Sequence, residues 1–106
     1  MSMTKFIEVI TTFETADGAR EMADSILKQK LGACCSIEEV ESIYNWEGGI
    51  ETSEEFQLTI KTVESHYAKL EKLILKNHSY ETPQIISLPI IGGSDDYLKW
   101  IEEETK

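Results

Sequence analysis

The sequence predicts an α+β fold, an antiparallel sheet with helices packed on one face, in a single domain spanning residues 1–106. Three observations predict it. Strand-like and helix-like runs follow one another in the order β-α-β-β-α-β. The two middle strand runs meet across Gly48-Gly49, as in a hairpin. The length of 106 residues fits one domain with a modest core.

Lys5 to Thr12 is rich in β-branched residues and reads as a first strand. Its nearly continuous apolar character predicts a central strand covered on both sides. Thr15 to Asp17 supplies helix caps, and Ala19, Met22, Ala23, Ile26 and Leu27 follow at helical spacing. Lys28 and Lys30 sit at the C-terminal end, where cations suit the helix dipole, and Gly32 is expected to stop the helix.

Ala33 to Trp46 reads as a second strand, with a bend or bulge expected around Ile37-Glu38-Glu39-Val40-Glu41. Ile50 to Thr62 is its hairpin partner. Ser65 is expected to cap a second helix whose buried stripe is Tyr67, Leu70, Leu73 and Ile74, ending near Asn77-His78. Thr82-Pro83 resets the chain. Gln84 to Ile91 is a fourth strand, ended by Gly92-Gly93. Ser94, followed by Asp95 and Asp96, caps a short terminal helix carrying Tyr97, Leu98, Trp100 and Ile101.

This order is that of the ferredoxin-like split βαβ fold. So long a hairpin must project beyond so small a core. Its strand edges, and the sheet face away from the helices, then need cover. Phe6, Ile43, Leu58 and Ile86 are the apolar residues expected on that second face, and the terminal helix is too short to cover them. The expectation is an oligomer.

Composition narrows the function. Twenty acidic residues against ten basic give a formal net charge of −10, and Arg20 is the only arginine. Phosphate backbones and anionic membranes need clustered Lys and Arg, so neither nucleic acid nor membrane is an expected partner. No apolar run approaches the roughly 20 residues of a membrane span, and Met1 to Lys5 lacks a secretory leader pattern. Cys34 and Cys35 are adjacent and point to opposite faces of a strand, so they are poorly placed to pair. That suits a reducing compartment, and the expected location is cytoplasmic.

Several segments together resemble one family: Tyr44-Asn45-Trp46-Glu47-Gly48-Gly49-Ile50-Glu51, Glu55 to Thr62, His78-Ser79-Tyr80-Glu81-Thr82-Pro83-Gln84-Ile85-Ile86, and Tyr97-Leu98-Lys99-Trp100-Ile101. Thr11-Thr12 and Leu31-Gly32-Ala33-Cys34 fit as well. The chain resembles the CutA family of divalent-cation tolerance proteins, over essentially its whole length. The resemblance implies a homotrimer with an architecture like that of PII-type signalling proteins, linked to tolerance of copper and other divalent metals. Three positions depart from the family pattern. Ser79 stands where proline is usual, Gln84 where glutamate is usual, and Thr11 where some relatives carry cysteine.

Single residues keep two readings each. Cys34 is a soft ligand suited to Cu(I), or a small buried strand residue. His78 and Glu55 complete the expected metal set with Cys34, while the plain reading of His78 is a helix-end or loop bond. His66 has no motif support and is expected on the surface. Lys61 needs a carboxylate if its face is enclosed, with Glu55, Glu81 or a neighbouring subunit as candidates. Trp46, Lys61 and Tyr80 are the candidates for a small-ligand cleft between subunits. Tyr44 and Trp46 share one strand face and suit hairpin packing.

No nucleophile-base pair, phosphate loop or dinucleotide fingerprint is present, so no catalytic residue is assigned and an enzyme is not expected. The expected function is divalent-cation tolerance by a homotrimer that binds copper, another divalent cation or a small ligand weakly between subunits. The alternative is a PII-like signalling or scaffold module without a metal role, and a more distant one an uncharacterised enzyme using Lys61, Glu55, His78 and Tyr80 for acid-base work.

Overall fold

A computed structural model describes residues 4–106. Met1 to Met3, part of the leader reading, lie outside the described residues. The elements run β1 (Phe6–Phe13), α1 (Ala16–Lys28), β2 (Cys34–Trp46), β3 (Gly49–Val63), α2 (Tyr67–Asn77), β4 (Ile85–Ile90) and α3 (Asp95–Glu104). The sheet order is β2-β3-β1-β4 and every pairing is antiparallel. This is the ferredoxin-like arrangement that the strand and helix order predicts.

Alternation along the strands sorts the side chains. Ile7 and Val9 of β1 and Leu58 and Ile60 of β3 point to one face. There they bury against Ala19, Met22 and Ile26 of α1 and Leu70 and Ile74 of α2. Thr15 caps α1 by accepting from the Gly18 amide at 3.0 Å.

Gly32 does not end this helix. α1 stops at Lys28, and Lys30 adopts the left-handed conformation at φ 59°. Gly32 is small for a packing reason: a Cβ there would lie 2.6 Å from Ile60 Cγ2 and 2.9 Å from Ile26 Cγ2.

The hairpin departs from expectation in a second way. Register runs unbroken from Cys34 opposite Lys61 to Trp46 opposite Gly49, so β2 carries no bulge around Ile37 to Glu41. The glutamates fit the regular pleat because β2 is an edge strand, exposed on much of both faces. β1 reaches only as far as Phe56, so Gly49 to Glu55 pairs with β2 alone. At about 3.4 Å per residue, these seven residues project about 24 Å. The described residues extend over 50 Å along their longest axis. Glu47 (φ 47°) and Gly48 (φ 81°) form the tip, a two-residue turn of the primed type.

Ser65 does not cap α2. It lies inside a short 3-10 turn, Glu64–His66, and α2 starts after it without a side-chain cap. Ser94 does cap α3, accepting from the Tyr97 amide at 3.3 Å. α3 packs on β3 and buries Ile101 completely. Its end is tied down by His66, whose Nε2 donates to the Thr105 carbonyl at 2.6 Å, and by a hydrogen bond from Thr4 to Glu102. His66 is thus a half-buried anchor and not a surface residue.

The open sheet face holds Phe6 and Ile10 of β1 and Ile86 and Leu88 of β4. Leu58 is on the helix face, fully buried, and Ile43 shares that parity on the projecting hairpin, 65% exposed. The expectation for Phe6 and Ile86 therefore agrees with the structure, and that for Leu58 and Ile43 does not. Ile86 and Leu88 stay 46% and 40% exposed in the single chain.

Candidate functional site

The polar site of the chain lies where the hairpin leaves the sheet. Glu55 is the last β3 residue before β1 pairing begins, and it is only 8% exposed. A buried carboxylate needs donors. Tyr80, in the loop after α2, donates its phenol to Glu55 Oε2 at 2.8 Å. Burial, followed by the bond to Glu55, pushes the Tyr80 phenol well above its ordinary ionisation range.

His78 holds that loop. Its ring stacks on Phe13, centroids 4.4 Å apart, and tilts against Tyr80 at 5.0 Å. Nε2 donates to the Thr12 carbonyl at 2.8 Å, and Nδ1 accepts from the Tyr80 amide at 3.1 Å. The β1–β4 ladder ends at Thr11 opposite Ile85, so His78 takes over at the next residue of β1. The pair of bonds defines a neutral ring protonated at Nε2. Burial lowers its pKa below 6.5, against the opposing pull of the Thr12 carbonyl and Glu55.

The expected metal set does not assemble within one chain. Cys34 sits opposite Lys61, six residues along β3 from Glu55 and so about 20 Å away. Both nitrogens of His78 are already bonded, and Glu55 is held by Tyr80. Among the described residues no cluster of three or more His, Cys, Asp or Glu side chains is arranged for a metal ion. Within one chain, Cys34, His78 and Glu55 are thus not gathered around one cation.

The candidate cleft residues are likewise spread out. Trp46 is at the hairpin tip, and Lys61 is about 40 Å farther along the strand pair, with Tyr80 between them. One chain cannot bring them to one ligand.

Lys61 takes a partner that the sequence reading did not weigh. It faces Glu8 across the β1–β3 ladder, Nζ to Oε1 3.9 Å, in place of Glu55 or Glu81. Strand parity puts both on the open face beside Cys34. Cys35 points the other way, packs on the core and has its thiol pushed up to about 12 by burial, followed by the neighbouring Cys34. Tyr44 and Trp46 do share the open-face parity, and the Ser53 hydroxyl donates to the Tyr44 phenol at 3.3 Å. Beside His78 lies a groove of about 430 Å³ between Phe13, Glu14, Met22, Asn77 and Ser79. No motif in the sequence signals it, because its walls come from three separate segments.

The model of the CutA1 divalent ion tolerance protein family matches residues 7–104. The chain belongs to that family. Among CutA relatives, "Protein CutA, chloroplastic" of Arabidopsis thaliana is 40% identical over 101 residues, covering 94% of this chain and 56% of the relative. This chain thus spans little more than half of that protein. The "Divalent-cation tolerance protein CutA" of Pyrococcus horikoshii is 38% identical over 100 residues, covering 94% of this chain and 98% of the relative. The crystal structure of CutA1 from Oryza sativa superposes with a TM-score of 0.94 at 39% identity, covering 99% and 98% of the two chains. The CutA fold, hairpin included, is therefore the fold of this protein.

Proposed function

We propose that this chain is a non-catalytic divalent-cation tolerance protein that works as a homotrimer, with its clefts between subunits. The observation that carries the reading is the open sheet face. Ile86 and Leu88 are exposed beside Phe6 and Ile10, β2 and β4 are both edges, and about 24 Å of hairpin extends past the core. A second copy covers apolar face and edges at once. The same assembly brings Trp46, Lys61 and Tyr80 of different chains toward one another, which a single chain cannot do. These are the residues proposed to line the ligand cleft.

Cation binding, including that of copper, is assigned to solvent-facing carboxylates of an acidic surface and is weak for that reason. It does not use Cys34, His78 and Glu55 as a set. The proposed compartment is the cytoplasm, where Cys34 and Cys35 stay reduced; no helix among the described residues is long and apolar enough to cross a membrane.

Light scattering on the chain and on Leu88→Glu tests the assembly. The expected result is a trimer that the charge on the open face dissociates. An unmodified chain that stays monomeric contradicts the reading. Calorimetry with Cu(I) and Zn(II) tests the cation assignment. Weak heats that survive Cys34→Ala and His78→Ala agree with it, and their loss contradicts it.

A further inference from the structure

We propose that His78 is a positioning residue, a neutral pin that holds Tyr80 on Glu55 and lets go when Nδ1 takes a proton. The pin is built from one chain's geometry. Only its effect on assembly rests on the trimer reading above.

Two ring hydrogen bonds and a stack hold the ring, with the Thr11 hydroxyl 3.5 Å from Nε2 and the Tyr80 ring tilted against it. The Nε2 bond of His78 to the Thr12 carbonyl survives protonation, because Nε2 is a donor in either state. Its Nδ1 bond does not, because the Tyr80 amide donates to that nitrogen and a proton there removes the acceptor. The stack on Phe13 keeps the ring in place, so the charged ring stays beside the amide and repels it. Protonation therefore breaks one chosen bond and spares the others.

The bond that breaks sets the position of Tyr80. Its amide is held by His78 and its phenol by Glu55, two attachments at opposite ends of one residue. Loss of the first frees the backbone that aims the second. Glu55 lies at the root of the projecting hairpin, so Tyr80 couples the loop after α2 to the hairpin.

The charged groups facing the ring are few. Glu55 of β3 acts on His78 directly, while Glu14, after β1, acts on Tyr80. The bond to the Thr12 carbonyl and the charge of Glu55 favour the charged ring, and burial opposes it more strongly. The proton is thus taken up at a lower pH than the ordinary 6.5. This also accounts for the misfit to a metal: a ring whose two nitrogens are occupied serves the backbone and not a cation.

Nuclear magnetic resonance of the labelled chain tests this in the state in which it assembles. At pH 7 the His78 ring is expected as the Nε2–H tautomer. As pH falls, the hydrogen-exchange protection of the Tyr80 amide, corrected for intrinsic rate, is expected to drop about tenfold at the His78 midpoint. In His78→Gln the acid step in Tyr80 is expected to vanish. Should that variant not fold, the two midpoints in the unmodified chain decide alone. Tyr80 protection unchanged while His78 titrates overturns the proposal. So does Zn(II) or Cu(II) coordinated at a ring nitrogen of His78. Oligomeric state, read in the same samples by translational diffusion, bears on the trimer and leaves the pin standing or falling by itself.

Discussion

Tyr80 reaches across to Glu55 and donates its phenol at 2.8 Å, supplying a donor to a carboxylate that is only 8% exposed. The two residues are far apart in sequence. Their meeting joins the loop after α2 to the root of the β2–β3 hairpin.

Removing that phenol strands a buried charge. Tyr80→Phe is expected to lower unfolding stability by about 1–3 kcal/mol, the cost of leaving a buried acceptor without its donor. Urea denaturation at neutral pH measures it. Tyr80→Phe combined with Glu55→Gln is expected to recover part of the loss, because the charge is then gone as well.

Gly32 is held to its size by Ile60 and Ile26, with a Cβ predicted at 2.6 Å and 2.9 Å from their Cγ2 atoms. Gly32→Ala is expected to destabilise by about 1–3 kcal/mol through overpacking. Lys30→Gly, at φ 59°, is expected to be neutral or stabilising, by up to about 1 kcal/mol. Thermal melts should fall for Gly32→Ala and hold or rise for Lys30→Gly.

The reading of this segment shows where sequence patterns carry information and where they do not. A glycine after a helix signals a left-handed residue, and that signal pointed to Gly32, yet a lysine two residues earlier takes the conformation. Spacing cannot tell a glycine needed for its backbone from one needed for its lack of a Cβ. The hairpin and the helix stripes were legible because periods of 2 and 3.6 state which face is buried. Leu58 was misplaced for want of register: whether an apolar strand residue faces helix or solvent depends on its partners, here Thr11 on β1 and Ile37 on β2. The site was least legible. Cys34, Glu55 and His78 are residue types that bind metals, but nothing in their spacing reveals that Thr12 and the Tyr80 amide already occupy the ring of His78.

Cys35 is expected to be chemically silent in the folded chain. With its thiol pushed up to about 12, about one molecule in ten thousand carries the thiolate at pH 8. Mass spectrometry after native alkylation at that pH should find Cys35 unmodified, and Cys34→Ser should take up no label. The folded pKa is raised above the ordinary 9.0. The contribution of Cys35 to stability is therefore present below that value and lost as pH rises toward about 12.

His78 acts with the opposite dependence. Its folded pKa lies below 6.5, so between the two values the unfolded chain binds more protons than the folded one. Stability is expected to be full above the unfolded value and to fall as pH drops through the folded one. Urea midpoints from pH 7.5 down to 5 should show the loss, and His78→Gln should remove that part of the slope.

The open face of Ile86 and Leu88 and the free length of hairpin both call for cover by further copies, and they support the proposal that this chain works as a trimer. Native mass spectrometry across a dilution series measures it most directly. Three copies held together down to nanomolar concentration is the predicted result; a stable, folded monomer at micromolar concentration would contradict it.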